Sequence, residues 1–528
     1  MTNTADVVVA GAGHNSLITA AYLAKAGYEV LVLDARDVAG GGAASEELLG
    51  PGYMIDSCST GHTLIQTSPT LVDDELGLLS NYGLEYLVPD PFAHVAFPDG
   101  EYLTAWMDRE RTVEEFARHS KADAAAYERL LDGYDEVKHV FGASTFTPIG
   151  FGPSLAERLA EHPRGRVWLR RQAMSAWDVI RHEFEDRHTQ AFLLWQAYQT
   201  LVPIDMPGSG ALAYSIVFGR QRRSWTLPRG GSGQLTDALV RCIGDHGGAV
   251  LCGRRVTRLL LEDGRCTGVE TADGERHVAR EAVVSTVHVK HLLEMAPEDA
   301  WDPDYRYGIE TFDIGIPAMA IYMGSTAPPE FETPEGPRSA VSAGLAGFPE
   351  DIIAHNRRMR DGVYDDDPAW VLVATPTLAD PSRAPAGHHT VKLLSANAYG
   401  FPDRKEWQAD RQLARLREVA PGFTDDVILA RLVKAPEDIE AMNPHMIHGT
   451  FHGGDRTVPQ SGALRPAPGW ASHRMPIPGL YQTGGTTHPG GSITGAPGRN
   501  AATVLLSDLG LDIGEVVSGG GRARAVGR

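Results

Sequence analysis

Two glycine turns near the ends of the chain, one strand-end acid and a scatter of histidines are the residues whose types and spacing suggest chemistry. In Gly11-Ala-Gly13-His14-Asn15-Ser16 the first glycine allows a tight turn, and the second lets backbone approach a diphosphate. A helix starting near Asn15 turns its free N–H groups and positive dipole end toward that anion. Asp34, 23 residues beyond Gly11, is placed to accept a hydrogen bond from a ribose hydroxyl. Ser16 occupies the third glycine position of such a fingerprint, so helix and strand must accommodate one extra hydroxymethyl group.

The segment after Asp34 selects among dinucleotides. Asp34-Ala35-Arg36 leads into Gly40-Gly41-Gly42-Ala43, an extension that NAD-binding units do not need. In flavoproteins with two dinucleotide-binding domains such a loop lets backbone pass close to FAD. Arg36 would suit an NADP phosphate, but the retained acid would repel it, so FAD is expected. Near the other end, Gly484-Gly485-Thr-Thr-His488-Pro-Gly490-Gly491-Ser492-Ile493-Thr494 runs into a helical pattern from Ala496. That second helix N-terminus suits the flavin edge on which negative charge collects upon reduction. Gly485, Gly491, Ser492, Ile493 and Thr494, with Val256 from a run of short strands, complete the expected cofactor set. No cysteine lies in this turn, so non-covalent FAD is expected.

His62 and His488 are the candidates for a catalytic role: His488, in the turn expected near the flavin, as proton donor or substrate-orienting group, and His62, after the glycine loop, without an assigned role. His445, His448 and His452 have spacings of three and four that a helix would turn into a metal-binding face. Gly449, Gly453 and Gly454 oppose that helix, and no metal is expected. Trp168, Trp177, Phe184, Phe192, Trp195, Tyr198 and Tyr214 read first as core and second as the lining of an apolar pocket.

The glycine turns at both ends, Pro228-Arg-Gly-Gly-Ser-Gly-Gln234-Leu, and Arg465-Pro…Pro-Gly-Leu-Tyr…Thr-His488-Pro-Gly-Gly…Gly498-Arg-Asn-Ala-Ala resemble the phytoene-desaturase-like FAD oxidoreductases. The similar subgroup holds cyanobacterial-type carotenoid ketolases and pyridine nucleotide-disulphide oxidoreductase domain-containing proteins. Within it, His62 resembles a histidine common in ketolase-like members, and Phe451-His452-Gly453 a family segment. The resemblance implies an enzyme that removes hydride from an organic, largely apolar substrate. A carotenoid-type ketolase or isomerase is the alternative. Rab GDP-dissociation inhibitors, which share the fold and the early fingerprint, keep a non-catalytic binding role open.

The elements that must position these residues suggest an α/β protein. A Rossmann-like FAD domain (1–75, 222–300 and 455–516) is interleaved with a mixed-sheet and helical substrate or lid domain (76–221 and 301–454). Asp6–Ala10 and Glu29–Leu33 read as buried strands, and His94–Phe97 with Tyr102–Trp106 as a hairpin. Thr112-Val-Glu-Glu115 reads as a capping box opening a long helix, with helices continuing to about residue 221. Val250–Arg255, Arg258–Leu261 and Gly268–Thr271 read as short strands. Runs at Met319–Met323, Val371–Thr375, Thr390–Ala396 and Ile428–Val433 suggest a second sheet. The glycine- and arginine-rich 517–528 reads as a disordered tail.

Composition sets the outer bounds. At 528 residues the chain exceeds one ordinary core. A formal net charge of −20 argues against nucleic acid as a partner. Four cysteines without a C-x-x-C pair fit reduced thiols and a cytoplasmic location, and no targeting signal is read before the first strand. A small organic substrate and oxygen or a quinone as electron acceptor are the expected partners, because only one G-x-G-x-x-[G/S] unit with its strand-end acid is present. Peripheral membrane contact stays open, and the sequence does not state an oligomeric state.

Overall fold

Val7, Val8 and Val9 are wholly buried, as a strand covered on both faces requires. The computed structural model, which describes residues 2–522, places them in the first strand, Thr2–Ala10, at the middle of a seven-stranded sheet. On one side it pairs in parallel with Val30–Leu33, which pairs in turn with Ala249–Leu251. On the other it pairs in parallel with Arg276–Ser285. That last strand is the largest departure from the sequence reading. Its first half is charged: Arg280 Nε donates to Asp6 Oδ1 at 2.8 Å, and only Ala282–Ser285 presents an apolar signal. The first half also carries an antiparallel extension, Arg265–Thr271 and Val256–Glu262, while the second half pairs in parallel with Leu480–Gln482. The strand expected over 250–255 is cut to Ala249–Leu251, because Cys252–Arg255 turns toward the extension.

Helices His14–Lys25, Gly233–Asp245 and Ala496–Asp508 cover one face of this sheet, sharing a core that includes Leu17, Tyr22, Leu239 and Leu505. The other face is covered by Val289, Leu292, Tyr305 and Phe312. Residues 301–312, expected to open the substrate domain, therefore lie beneath the first sheet. Ser518–Arg522, read as disordered, is ordered against the same unit: Arg522 N donates to Ala26 O at 2.8 Å and its guanidinium reaches Asp6. Residues 523–528 lie outside the described residues.

The second seven-stranded sheet runs Ile428–Lys434, Ala318–Ser325, His389–Ala396, Trp370–Ala374, Ser342–Ala346, Ala93–Ala96, Tyr102–Ala105. Every pairing in it is antiparallel except that of Ser342–Ala346 with Ala93–Ala96. Ser342–Ala346, with its glycine and alanines, carries no strand signal in sequence. Helices from Arg109–His119 to Leu212–Arg223 form a layer against this sheet. The expected capping box is displaced. Asp108 caps the first helix by accepting from Arg111 N, a new helix starts at Lys121 behind Ser120, and Thr112 Oγ1 bonds back to Trp106 O. Layer and sheet lock through two indoles: Trp195 Nε1 donates to Val371 O at 3.1 Å and Trp370 Nε1 to Trp195 O at 3.0 Å. Among the described residues no helix is long and apolar enough to cross a membrane.

Candidate functional site

The parallel strands of the first sheet end on one edge. Gly11, Asp34, Thr286 and Gly484 succeed four of them and line one cavity of about 310 Å³. Ligands of open α/β sheets bind at such carboxyl ends. The approach there is close. Gly11 has φ +99°, and a Cβ on it would lie 2.4 Å from Thr286 Cγ2. A Cβ on Gly491 would lie 2.1 Å from His452 O, so the C-terminal turn can sit where it does only without a side chain.

Asp34 is held by the turn it completes: Oδ2 accepts from Ala12 N at 2.6 Å and Oδ1 from Arg36 N at 2.8 Å. Each oxygen keeps a lone pair for a further donor. Helix His14–Lys25 starts at Gly13 with no side-chain cap, which leaves its first N–H groups free of one. Among the buried side chains, His14 Nε2 and Asn15 Oδ1 have no partner. An uncapped helix start, glycines that admit a close approach and orphaned polar atoms fit a bound dinucleotide.

Of the residues singled out in sequence, Gly11, Gly13, His14, Asn15, Asp34, Ala35, Arg36, Gly41, Gly42, Val256, Gly485, Gly491, Ser492 and Ile493 all line the cavity. Ser16, Ala43 and Thr494 do not. Ser16 Oγ bonds Gly11 O at 2.7 Å and Gly13 O at 2.9 Å, so the hydroxyl in the third glycine's place braces the turn from within. Thr494 Oγ1 accepts from Ala496 N and serves the helix start, and Ala43 is wholly buried.

The two catalytic candidates lie outside the lining. His62 is wholly buried, with Nε2 2.7 Å from Ser232 Oγ and Nδ1 3.2 Å from Tyr86 OH, and burial pushes its pKa down to about 3. It joins the first unit to the Gly233–Asp245 helix start while its neighbour Gly61 faces the cavity. His488 Nε2 meets Ser144 O at 3.1 Å, tying the C-terminal turn to the helical layer. The 445–452 histidines do not form a helical face. His448 stacks on Tyr399, whereas His445 and His452 line the cavity and Ser492 Oγ lies 3.3 Å from His452 Nδ1. Burial lowers the pKa of His445 to about 4 and of His452 to about 3, so both rings are neutral near pH 7. Of the aromatics considered as pocket lining, none lies on the wall; Trp168 and Trp195 are core residues.

The rest of the wall is silent in sequence. Gln199, Thr200, Ile216, Arg220 and Trp225 come from the helical layer and the segment after it, and Leu372, Lys392 and Leu394 from the second sheet. Lys392 is the outlier of an apolar strand. Its Nζ donates to Cys58 O, to Thr60 Oγ1 at 2.9 Å and to Asp56 O at 3.4 Å. Burial pushes it down to about 8, against the pull of Asp56. Asp56 pairs with buried Arg383 at 2.7 Å. Burial alone would raise its carboxyl, and Arg383 and Lys392 hold it below the usual value instead.

The family model for flavin containing amine oxidoreductases matches residues 17–313. The chain belongs to that family. It is similar over nearly its whole length to a limonene dehydrogenase subunit of Castellaniella defragrans, at 29% identity covering 96% of this chain and 95% of the relative. It is also similar to the lycopene-forming phytoene desaturase of Pantoea ananas, at 25% identity covering 95% and 99%. Among solved structures, cyclohexylamine oxidase from Brevibacterium oxydans superposes with a TM-score of 0.56 at 17% identity, covering 96% of this chain and 99% of that one. The α/β fold is thus that of the flavin oxidases. The protein is an FAD-dependent oxidoreductase of phytoene-desaturase-like type.

Proposed function

We propose that this oxidoreductase removes hydride from a carbon of a small, largely apolar organic molecule, and that oxygen or a quinone then takes the electrons. The observation that carries this is the continuity of one cavity. The glycine turns and Asp34 form part of its wall, and Ile216, Trp225, Leu372 and Leu394 form another. FAD, when bound, supplies the hydride acceptor. Gly11, Gly13 and the start of helix His14–Lys25 would receive its diphosphate, and Asp34 a ribose hydroxyl. Gly485, Gly491 and Ser492 would hold the ring end, and the apolar residues would exclude water. Lys392 would be the proton-holding group: it lines the cavity beside Leu394, Cys58 O, Thr60 Oγ1 and Asp56 O hold its Nζ in place, and burial lowers its pKa to about 8.

The choice of acceptor is supported by the second sheet. It is antiparallel apart from one pair, so it offers no strand–glycine turn–helix unit for a nicotinamide cofactor among the described residues. The test is anaerobic. Fractions of a metabolite extract that bleach the yellow protein should yield a product two hydrogens lighter, with colour restored by air or a quinone. Rapid, saturable bleaching by NADH or NADPH alone would reverse the assignment.

A further inference from the structure

The wall contributed by the helical layer contains a cation with no anion. Arg220 is 5% exposed and lines the cavity. Its Nη1 donates to Gln196 Oε1 at 3.3 Å and its Nη2 to Gln199 Oε1 at 2.6 Å, and it forms no ion pair with a carboxylate of the described residues. A guanidinium only donates, so both amides must turn their oxygens toward it and their NH2 groups away. Gln196 Nε2, Gln199 Nε2 and Arg220 Nε are then all buried without an acceptor. Every unmet group in the cluster is a donor.

The other cations of the wall are accounted for. Lys392 has three oxygen acceptors, Arg36 pairs with Glu46 at 2.7 Å, and Arg255 is exposed. Asp34 is the one carboxylate of the lining, and its partners are Ala12 N and Arg36 N whereas those of Arg220 are the two glutamines. A pure hydrocarbon in this cavity would leave a buried guanidinium facing apolar carbon, which is unfavourable.

We propose that the substrate carries a carboxylate, engaged by Arg220 and Gln199, on an otherwise apolar body. The inference rests on the reading that this cavity is the substrate site. Burial lowers the Arg220 pKa to about 9, consistent with a guanidinium that lacks a counter-charge.

Calorimetric titration of the FAD-loaded protein at pH 7.5 with octanoate, methyl octanoate and 1-octanol tests it. Octanoate should bind at least about tenfold more tightly than the ester or the alcohol, as expected for a charge-assisted bond. Arg220→Gln should abolish that preference, and Arg220→Lys should retain part of it. If Arg220→Gln does not fold, Gln199→Leu should still reduce the preference several-fold. Equal affinity for the three probes, no octanoate binding at millimolar concentration, or a preference that survives Arg220→Gln would each overturn the proposal. A preference for octanoate that leaves the flavin absorption spectrum unchanged would keep the anion site at Arg220 and instead undo the underlying reading that the flavin meets its substrate in this cavity.

Discussion

Asp34 is fixed by two backbone amides, Ala12 N of the neighbouring glycine turn and Arg36 N of its own, and faces the cavity, so its carboxylate is preorganised for a third donor. Replacing it with alanine removes a charge-assisted hydrogen bond of about 1.5–3 kcal/mol. Asp34→Ala should therefore weaken FAD binding by roughly 10- to 150-fold in a flavin-fluorescence titration; an unchanged affinity would exclude the residue from the site. Lys392 makes a different kind of prediction. Burial has brought its pKa down to about 8, so its neutral, proton-accepting form gains population as pH rises through that value. Anaerobic bleaching by substrate should accelerate across that pH range and level off above it. Lys392→Met should flatten the step, and an identical pH profile in that variant would assign the proton elsewhere. Neither Lys392 nor Arg220 can be singled out in sequence. Each looks like an ordinary charged residue until a strand from one region and a helix from another close over it.

At the scale of elements, legibility depends on the distance over which a signal acts. Strand, glycine turn, helix, strand and acid from Thr2 to Asp34 are contiguous, and each is recognisable by its own period and turn residues. Arg276–Ser285 is invisible locally because its identity comes from pairing. Arg280 is stabilised by Asp6, 274 residues away, and the strand is sandwiched between the start and the end of the chain. The roles of His62 and His488 escape a local reading for the same reason, since their partners Ser232 and Ser144 belong to distant segments. The junction of helical layer and second sheet is equally non-local and can be tested directly. A Cβ on Gly344 would lie 2.2 Å from the Trp195 ring, and that indole is pinned by its bond to Val371 O. Gly344→Ala should cost about 1–3 kcal/mol by overpacking. Its urea midpoint should fall, and a double variant with Trp195→Phe should recover part of the loss; an unchanged midpoint would mean the layers are not tightly locked there.

On the scale of the whole molecule, the cavity is assembled from both ends of the chain. Gly11 and Gly13 come from the first turn and Gly485 and Gly491 from the last, with Thr286 wedged between Gly11 and Gly484. A ligand that touches all of them binds the folded chain and has no comparable site in the unfolded one. Free FAD at 100 times its dissociation constant should then add about 2.7 kcal/mol of stability, and the gain should grow with the logarithm of concentration. FMN lacks the adenosine half proposed to lie at Asp34, Ala35 and Arg36, so on that placement it should raise the melting temperature far less. The effect depends on reversible binding, and the geometry supports that. Cys58 is the cysteine on the cavity wall, burial pushes its thiol up to about 11, and its Sγ sits 3.6 Å from Met446 Sδ. It is protonated and a poor nucleophile at neutral pH. His62 is engaged by Ser232 and Tyr86 and His488 Nε2 by Ser144 O, and neither ring is on the lining. Acid precipitation should therefore release the yellow cofactor into the supernatant, and the flavin-free protein should melt earlier and regain its stability when FAD is added. Colour that stays in the pellet, or a melting temperature indifferent to FAD, would mean that the two ends of the chain are not joined through a reversibly bound cofactor.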